Sequence, residues 1–456
     1  MISETIQKQR DFFLTQRSKD ISFRKKALKR LQKEIIAQED AICDALYADF
    51  KKPRFETMAT ETQLVLAEIK QALKHIDLWS RPQKVTGTLS NWPSSDYIYK
   101  EPYGTVLIIA PWNYPFQLAI APLVGAIASG NTAVIKPSEL TVNTSKIVSG
   151  IIKTVFYPGH VTVVEGGVEI SRQLLLQQWD YIFFTGSAKV GQIVYESAAK
   201  YLTPVTLELG GKNPCIVDAS ATVKLTAKRI VWGKFLNAGQ TCLAPDYVLV
   251  HKKIKDKLVA MLKKYIILSY GESIEKSPDF ARMVGPHHYQ RLKSMLEGEK
   301  ILFGGQSNDR DNYISPTLID QPKMDSKLME GEIFGPILPI ISYETEEELD
   351  RYLMHYGKPL ATYVFSNTKS FQRKMVKKYS FGGGAINDTV IQIANKKLPF
   401  GGVGQSGLGA YHGKASFDLF SHQKAIIKKA NWLDAPLRYP PYNLPFWFIK
   451  KIKYLF

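Results

Sequence analysis

The chain has 456 residues, 45% hydrophobic and 22% charged, a globular composition that excludes a disordered or collagen-like polymer. At roughly 100–200 residues per domain it holds two or three domains. Its 60 Lys and Arg against 42 Asp and Glu leave a net charge of +18, which keeps nucleic acid and anionic membrane among the candidate partners.

Residues 1–80 read as amphipathic helices: Ile21, Leu28, Leu31 and Ile35 recur near the helical period, as do the apolar residues from Leu64 to Trp79. Arg81-Pro82 and Asn91-Trp92-Pro93 then punctuate the chain. Strand–turn–helix units follow. Thr105 to Ala110 is a β-rich apolar run stopped by Pro111; Ala119 to Ala128 is an apolar helix closed by Gly130-Asn131. Thr132 to Ile135 is a second strand, and a helix over about 143–155 leads to Val161 to Val164. Asp180 to Phe184 is a further strand, opening into Thr185-Gly186-Ser187 and a helix. The alternation restarts with Cys215 to Val217, a helix over 222–236 and Tyr247 to Val250. Such alternation predicts parallel sheets with crossover helices, and the restart predicts a second α/β domain.

Three cysteines, Cys43, Cys215 and Cys242, are too few for a disulfide framework and suit a reducing compartment. The first residues hold no apolar h-region, and no run reaches the roughly 18–20 apolar residues of a spanning helix, so a cytoplasmic protein is expected. The eight histidines form no ligand spacing, so no metal is expected.

Four segments carry candidate chemistry. Cys242 lies in Asn237-Ala238-Gly239-Gln240-Thr241-Cys242-Leu243-Ala244-Pro245, a small-residue loop between a helix and a strand; it reads as a nucleophile or as a structural thiol. Glu208 stands in an apolar run before Gly210-Gly211. Burial there raises a carboxyl pKa toward that of a general base, and the competing reading is a salt bridge to Lys212. Asn113, between Pro111 and Pro115, is either an oxyanion donor or a turn residue. Gly186-Ser187-x-x-x-Gly191 sits where a strand meets a helix and can admit a pyrophosphate, although its spacing is not G-x-G-x-x-G.

In this order, together with Gly331-Glu332-Ile333-Phe334-Gly335-Pro336 and the run from Leu398 to Gly409, these segments resemble the NAD(P)-dependent aldehyde dehydrogenase superfamily. Ala410-Tyr411-His412-Gly413-Lys414 and Cys242 to Tyr247 resemble its class 3 branch in particular, and the likeness runs over about residues 10–430.

The resemblance implies an α/β fold with a Rossmann-like cofactor-binding domain, an α/β catalytic domain and a bridging oligomerisation arm that builds a homodimer. The implied division is 1–80 and 100–208 for the cofactor, 209–411 for catalysis, 81–99 and 412–430 for the arm, and 431–456 for a tail. By the same resemblance Cys242 attacks an aldehyde, Asn113 and the Cys242 N–H hold the oxyanion, hydride leaves to the nicotinamide, and Glu208 activates the water that hydrolyses the thioester. Glu332 holds the nicotinamide ribose and Phe400 packs beside the ring; Trp112, Thr185 and Phe334 belong to the same cofactor site. Lys136 and Glu139 hold the adenosine ribose, and Gly186, Ser187 and Gly191 form the pyrophosphate turn. A carboxylate at Glu139 repels a 2′-phosphate, so NAD is the expected cofactor; class 3 relatives often accept NADP as well.

The charge is uneven. Residues 421–456 hold seven Lys and Arg and one acid, a net of +6 of the +18, and end in aromatics interleaved with lysines. Residues 440–456 therefore read as a peripheral anchor on the inner face of a membrane, in competition with packing on the protein or its dimer partner. Nucleic acid is not expected, since no helix-turn-helix, zinc-finger or RNP-type motif accompanies the basic residues. A bilayer-visiting enzyme implies a long apolar aldehyde, fatty, isoprenoid or carotenoid. The alternatives are a CoA-acylating aldehyde dehydrogenase, disfavoured by Glu208, and a catalytically silent scaffold on the same fold.

Overall fold

The computed structural model describes residues 2–434 and 438–452. Residues 435–437 and 453–456 of the expected tail lie outside the described residues.

Two sheets organise the chain. In the first, five parallel strands, Thr105–Ile109, Thr132–Lys136, Val161–Val163, Tyr181–Thr185 and Val205–Glu208, stand in the order 3-2-1-4-5 when numbered along the chain. That is the strand order of a dinucleotide-binding half, and it creates a switch point between Thr105–Ile109 and Tyr181–Thr185. Every residue of Thr105–Ile109 is buried. Successive side chains point to opposite faces: Val106 and Ile108 join one apolar cluster, while Leu107 and Ile109 join another. This two-sided burial explains why these strands read as continuous apolar runs. The helix Gln117–Ser129 is buried along its whole length, and the helix Lys414–Leu419 presses on it so closely that a Cβ at Gly125 would stand 2.8 Å from the Ser416 Cβ.

The second sheet has seven strands in the order Ile301–Phe303, Thr317–Asp320, Ile337–Tyr343, Tyr247–His251, Pro214–Val217, Ala361–Phe365 and Gly383–Ile386. All its pairings are parallel except the first. Gly407–Leu408 leaves this region and adds antiparallel to Val205–Glu208, with Gly407 opposite Glu208, tying the two sheets together beside the base candidate.

A third, antiparallel sheet joins Gln83–Val85, Ser94–Pro102 and Ser421–Lys429. The expected arm segment 412–430 thus divides, since its first part is the helix Lys414–Leu419 and only Ser421–Lys429 is strand. Phe446–Ile452 forms a short helix, and no described helix is long and apolar enough to cross a membrane.

Candidate active site

Beyond the helix Val223–Phe235 the backbone turns through three left-handed residues, Asn237, Ala238 and Gly239, with φ of 54°, 51° and 76°. At Gly239 any Cβ would collide with the Gly335 carbonyl, so this position requires glycine for both shape and space. The loop is then clamped from several sides. Asn213 Nδ2 donates to the carbonyls of Cys242 at 2.6 Å and Ala244 at 3.1 Å, while its Oδ1 accepts from Ala361 N at 2.8 Å. Gln240 Nε2 donates to Arg282 O at 3.0 Å, and Asn237 Nδ2 donates to Asn113 O at 2.9 Å. Cys242 is thereby held still against the turn that carries Asn113.

Asn113 follows the strand Thr105–Ile109 and is buried. One of its amide N–H groups donates to Gln240 O at 3.0 Å, which leaves the other for an oxyanion. Glu208 ends the strand Val205–Glu208. Burial pushes its carboxyl well above the usual range, and neither oxygen has a hydrogen-bond partner among the described residues. The competing salt bridge to Lys212 does not form: Lys212 Nζ donates to Asp246 Oδ2 at 2.7 Å, Gly331 O at 2.8 Å and Leu328 O at 3.1 Å.

Cys242 lies where two spaces meet. A cleft of about 1120 Å³ is lined by Trp112, Asn113, Thr185, Gly186, Ser187, Glu208, Cys242, Glu332 and Phe334. A narrow apolar channel of about 60 Å³ shares Thr185, Glu208 and Cys242 with it and adds Phe400, Leu64, Leu118 and Ile393. Lys136, Glu139 and Gly191 line neither space. Lys136, at the end of Thr132–Lys136, makes an ion pair with Glu139, and a Cβ at Gly191 would stand 2.7 Å from Leu209 Cδ2.

Burial pushes the Cys242 thiol up, and the charges of Glu332 and Glu208 add to it; the N–H groups of Cys242 and Leu243 act the other way. Glu332 is pushed up to about 8, first by burial and then by Asp246. Its neighbours are pinned in turn. Asp246 Oδ1 accepts from Ile333 N at 3.0 Å, and Arg291 donates to Ile333 O at 2.5 Å. His288 Nε2 donates to Phe334 O at 2.8 Å, with burial pushing its ring down to about 3. Trp112 leans on both rings, 5.0 Å from His288 and 5.3 Å from Phe334. Arg291 and His288 belong to no motif, and only the structure brings them to the Glu332 loop.

The cleft fits a dinucleotide. It opens at the switch point of the first sheet, and Gly186, Ser187 and Ala188 present the N-terminus of the helix Ala188–Ala199 to it. A Cβ at Gly186 would come 2.6 Å from the buried Phe184 ring, so the turn requires glycine where it meets the core. Glu332 supplies an acceptor at the end nearer Cys242.

Comparison with known proteins agrees. The model of the aldehyde dehydrogenase family matches residues 2–426. The chain is 50% identical to the 4,4'-diaponeurosporen-aldehyde dehydrogenase of Staphylococcus aureus over 96% of each chain. It is 40% identical to the dimeric NADP-preferring aldehyde dehydrogenase of Canis lupus familiaris, over 96% of this chain and 98% of that one. A substrate-bound structure of Staphylococcus aureus AldH superposes with a TM-score of 0.97 at 48% identity, covering 99% of each chain. The chain belongs to the aldehyde dehydrogenase family, on its class 3 branch, and is an NAD(P)-dependent aldehyde dehydrogenase.

Proposed function

We propose that the enzyme oxidises long apolar aldehydes, of the fatty, isoprenoid or carotenoid kind, with Cys242 as nucleophile and Glu208 as the deacylating base. The observation that carries the substrate class is the narrow channel at Cys242, whose walls include Leu64, Leu118, Leu236, Leu243, Leu360 and Ile393. The Staphylococcus aureus relative, named for a carotenoid aldehyde, supports the same class.

The aldehyde enters along the channel while the cofactor occupies the cleft, so the two approach Cys242 from different sides. Cys242 starts as a thiol, and its proton must leave before sulfur bonds to the carbonyl carbon; Glu208, whose carboxyl burial raises, receives it and releases it to solvent before deacylation. The free N–H of Asn113 and the backbone N–H of Cys242 hold the oxyanion. The bound nicotinamide supplies the hydride acceptor. Glu208 then takes a proton from the water that attacks the thioester, releasing the carboxylic acid and regenerating Cys242.

Within the cleft, Trp112, Thr185 and Phe334 bound the nicotinamide end, with Glu332 on its ribose, and Phe400 packs beside the ring from the adjoining channel. Gly186, Ser187 and Gly191 form the pyrophosphate turn, with Lys136 and Glu139 at the adenosine ribose. Residues 1–80 and 100–208 form the cofactor unit and 209–411 the catalytic unit. The arm strands of 81–99 and 412–430 build a homodimer, and 440–456 bring the enzyme to the inner face of a membrane.

A chain-length series of aldehydes, run with NAD and with NADP, tests the substrate class. Each methylene buried in the channel contributes about 0.8 kcal/mol, so kcat/KM should rise about fourfold per carbon until the channel is filled. A flat series would overturn the proposal.

A further inference from the structure

Five buried polar atoms beside Cys242 have no hydrogen-bond partner among the described residues: both carboxylate oxygens of Glu208, Thr185 Oγ1, Gln117 Nε2 and Tyr411 Oη. All four side chains line the same narrow channel, whose remaining walls are almost wholly apolar. They reach it from separate elements. Thr185 and Glu208 face one another as ladder partners in adjacent parallel strands, and Gln117 opens the helix Gln117–Ser129. Tyr411 follows the crossing strand Gly407–Leu408, its ring edge-on to Phe183 at 5.2 Å. The Tyr411 hydroxyl feels the charges of both Glu208 and Cys242. Gln117 stands near enough to influence it, yet the pair falls short of hydrogen-bond geometry.

A buried polar atom left bare costs about 1–3 kcal/mol, so five in one place call for a shared partner. Their chemistry specifies which. An ionised Glu208 only accepts and Gln117 Nε2 only donates, while Thr185 and Tyr411 do either. One molecule that donates twice and accepts twice can meet four of these five atoms at once, and that molecule is water.

We infer that Tyr411, Gln117 and Thr185 hold the hydrolytic water against Glu208, making them positioning residues for deacylation. This rests on the reading of Glu208 as base. The water oxygen bonds to the thioester carbon and one of its protons passes to Glu208. The C–S bond breaks with its electron pair on sulfur, and the proton returns from Glu208 to Cys242. The acid product keeps the water's other proton, so no further reactant is needed.

Pre-steady-state kinetics test it on Tyr411→Phe, Gln117→Met and Glu208→Gln. The two positioning variants should keep the parental NADH burst while steady turnover falls about tenfold or more. Their steady rate should slow more in D2O than the parent's, and hydroxylamine, which needs no base, should restore it. A merely structural loss would slow burst and steady state together, and that result, or an unchanged steady rate, overturns the inference. Full turnover in Glu208→Gln would instead overturn the base assignment. A stall in that variant alone would remove only the water-holding role. Should Tyr411→Phe fail to fold, Gln117→Met carries the same comparison.

Discussion

Cys242, the proposed nucleophile, is kept protonated in the resting protein. Burial is the larger cause, and the negative charge of Glu332 comes next. Because Glu332 itself is pushed up to about 8, its opposition to the thiolate is switched by pH. Below about pH 7 the Glu332 carboxyl is neutral and adds nothing; above 8 it is ionised and suppresses the thiolate. Glu332→Gln should therefore match the parent in iodoacetamide alkylation at pH 6.5 and outpace it by up to about tenfold at pH 9, the equivalent of one pKa unit. Equal rates at pH 9 would sink this account. Linkage gives an independent readout. A carboxyl whose folded pKa is raised stabilises the fold fully below its unfolded value of 4.5, and that contribution is lost as pH rises through about 8. The melting temperature of Glu332→Gln should accordingly gain on the parent across that window.

At the scale of elements, the legible parts were those with a period or a punctuated turn. The buried parallel strands read as apolar runs because helices cover both of their faces, and Cys242 and Glu208 stood out as polar groups in small-residue or apolar settings. Gly407–Leu408 was illegible, since two residues carry no period and their pairing with Val205–Glu208 is set across the molecule. The helix Lys414–Leu419 hid inside the expected arm because its burial is decided by the helix Gln117–Ser129. The clamp on the Glu332 loop was equally hidden: Lys212 and Asp246 are 34 residues apart, and nothing local pairs them. Their side chains are only 3% and 4% exposed, so Asp246→Ala leaves a buried lysine without its counter-charge, at a cost of about 3–5 kcal/mol. It also frees Ile333 N, which Asp246 Oδ1 holds at 3.0 Å. Urea unfolding should register the lost stability and titration with NAD a weakened Kd. A Lys212→Met, Asp246→Leu double variant should recover much of the stability and little of the affinity, because the Ile333 tether is still missing. Recovery of both would mean that the tether does not matter to Glu332.

Across the whole molecule, the net charge of +18 acquires a direction from the tail. Tyr442, Phe446 and Trp447 are 71%, 71% and 61% exposed, so within one chain these aromatics do not pack onto the body. The helix Phe446–Ile452 carries Lys450 and Lys451, which sit over the Phe446 and Trp447 rings at 4.9 Å and 5.5 Å. Aromatics flanked by lysines suit a headgroup interface, where each Lys near an anionic surface gains about 1 kcal/mol. Deleting 440–456 removes Lys450, Lys451 and Lys453, only three of the charges, so generic attraction to anionic vesicles should largely persist at low salt. At about 0.15 M salt, where screening acts over roughly 8 Å, the aromatic contribution should decide. Vesicles containing phosphatidylglycerol should then sediment the full chain and leave the truncated one in solution. Activity on a short soluble aldehyde should be unchanged, and KM should rise only for long-chain aldehydes. Equal sedimentation of the two chains would remove the anchor. If truncation instead halves the mass measured by sedimentation equilibrium, the tail's aromatics meet the dimer partner, and the charge serves assembly rather than lipid.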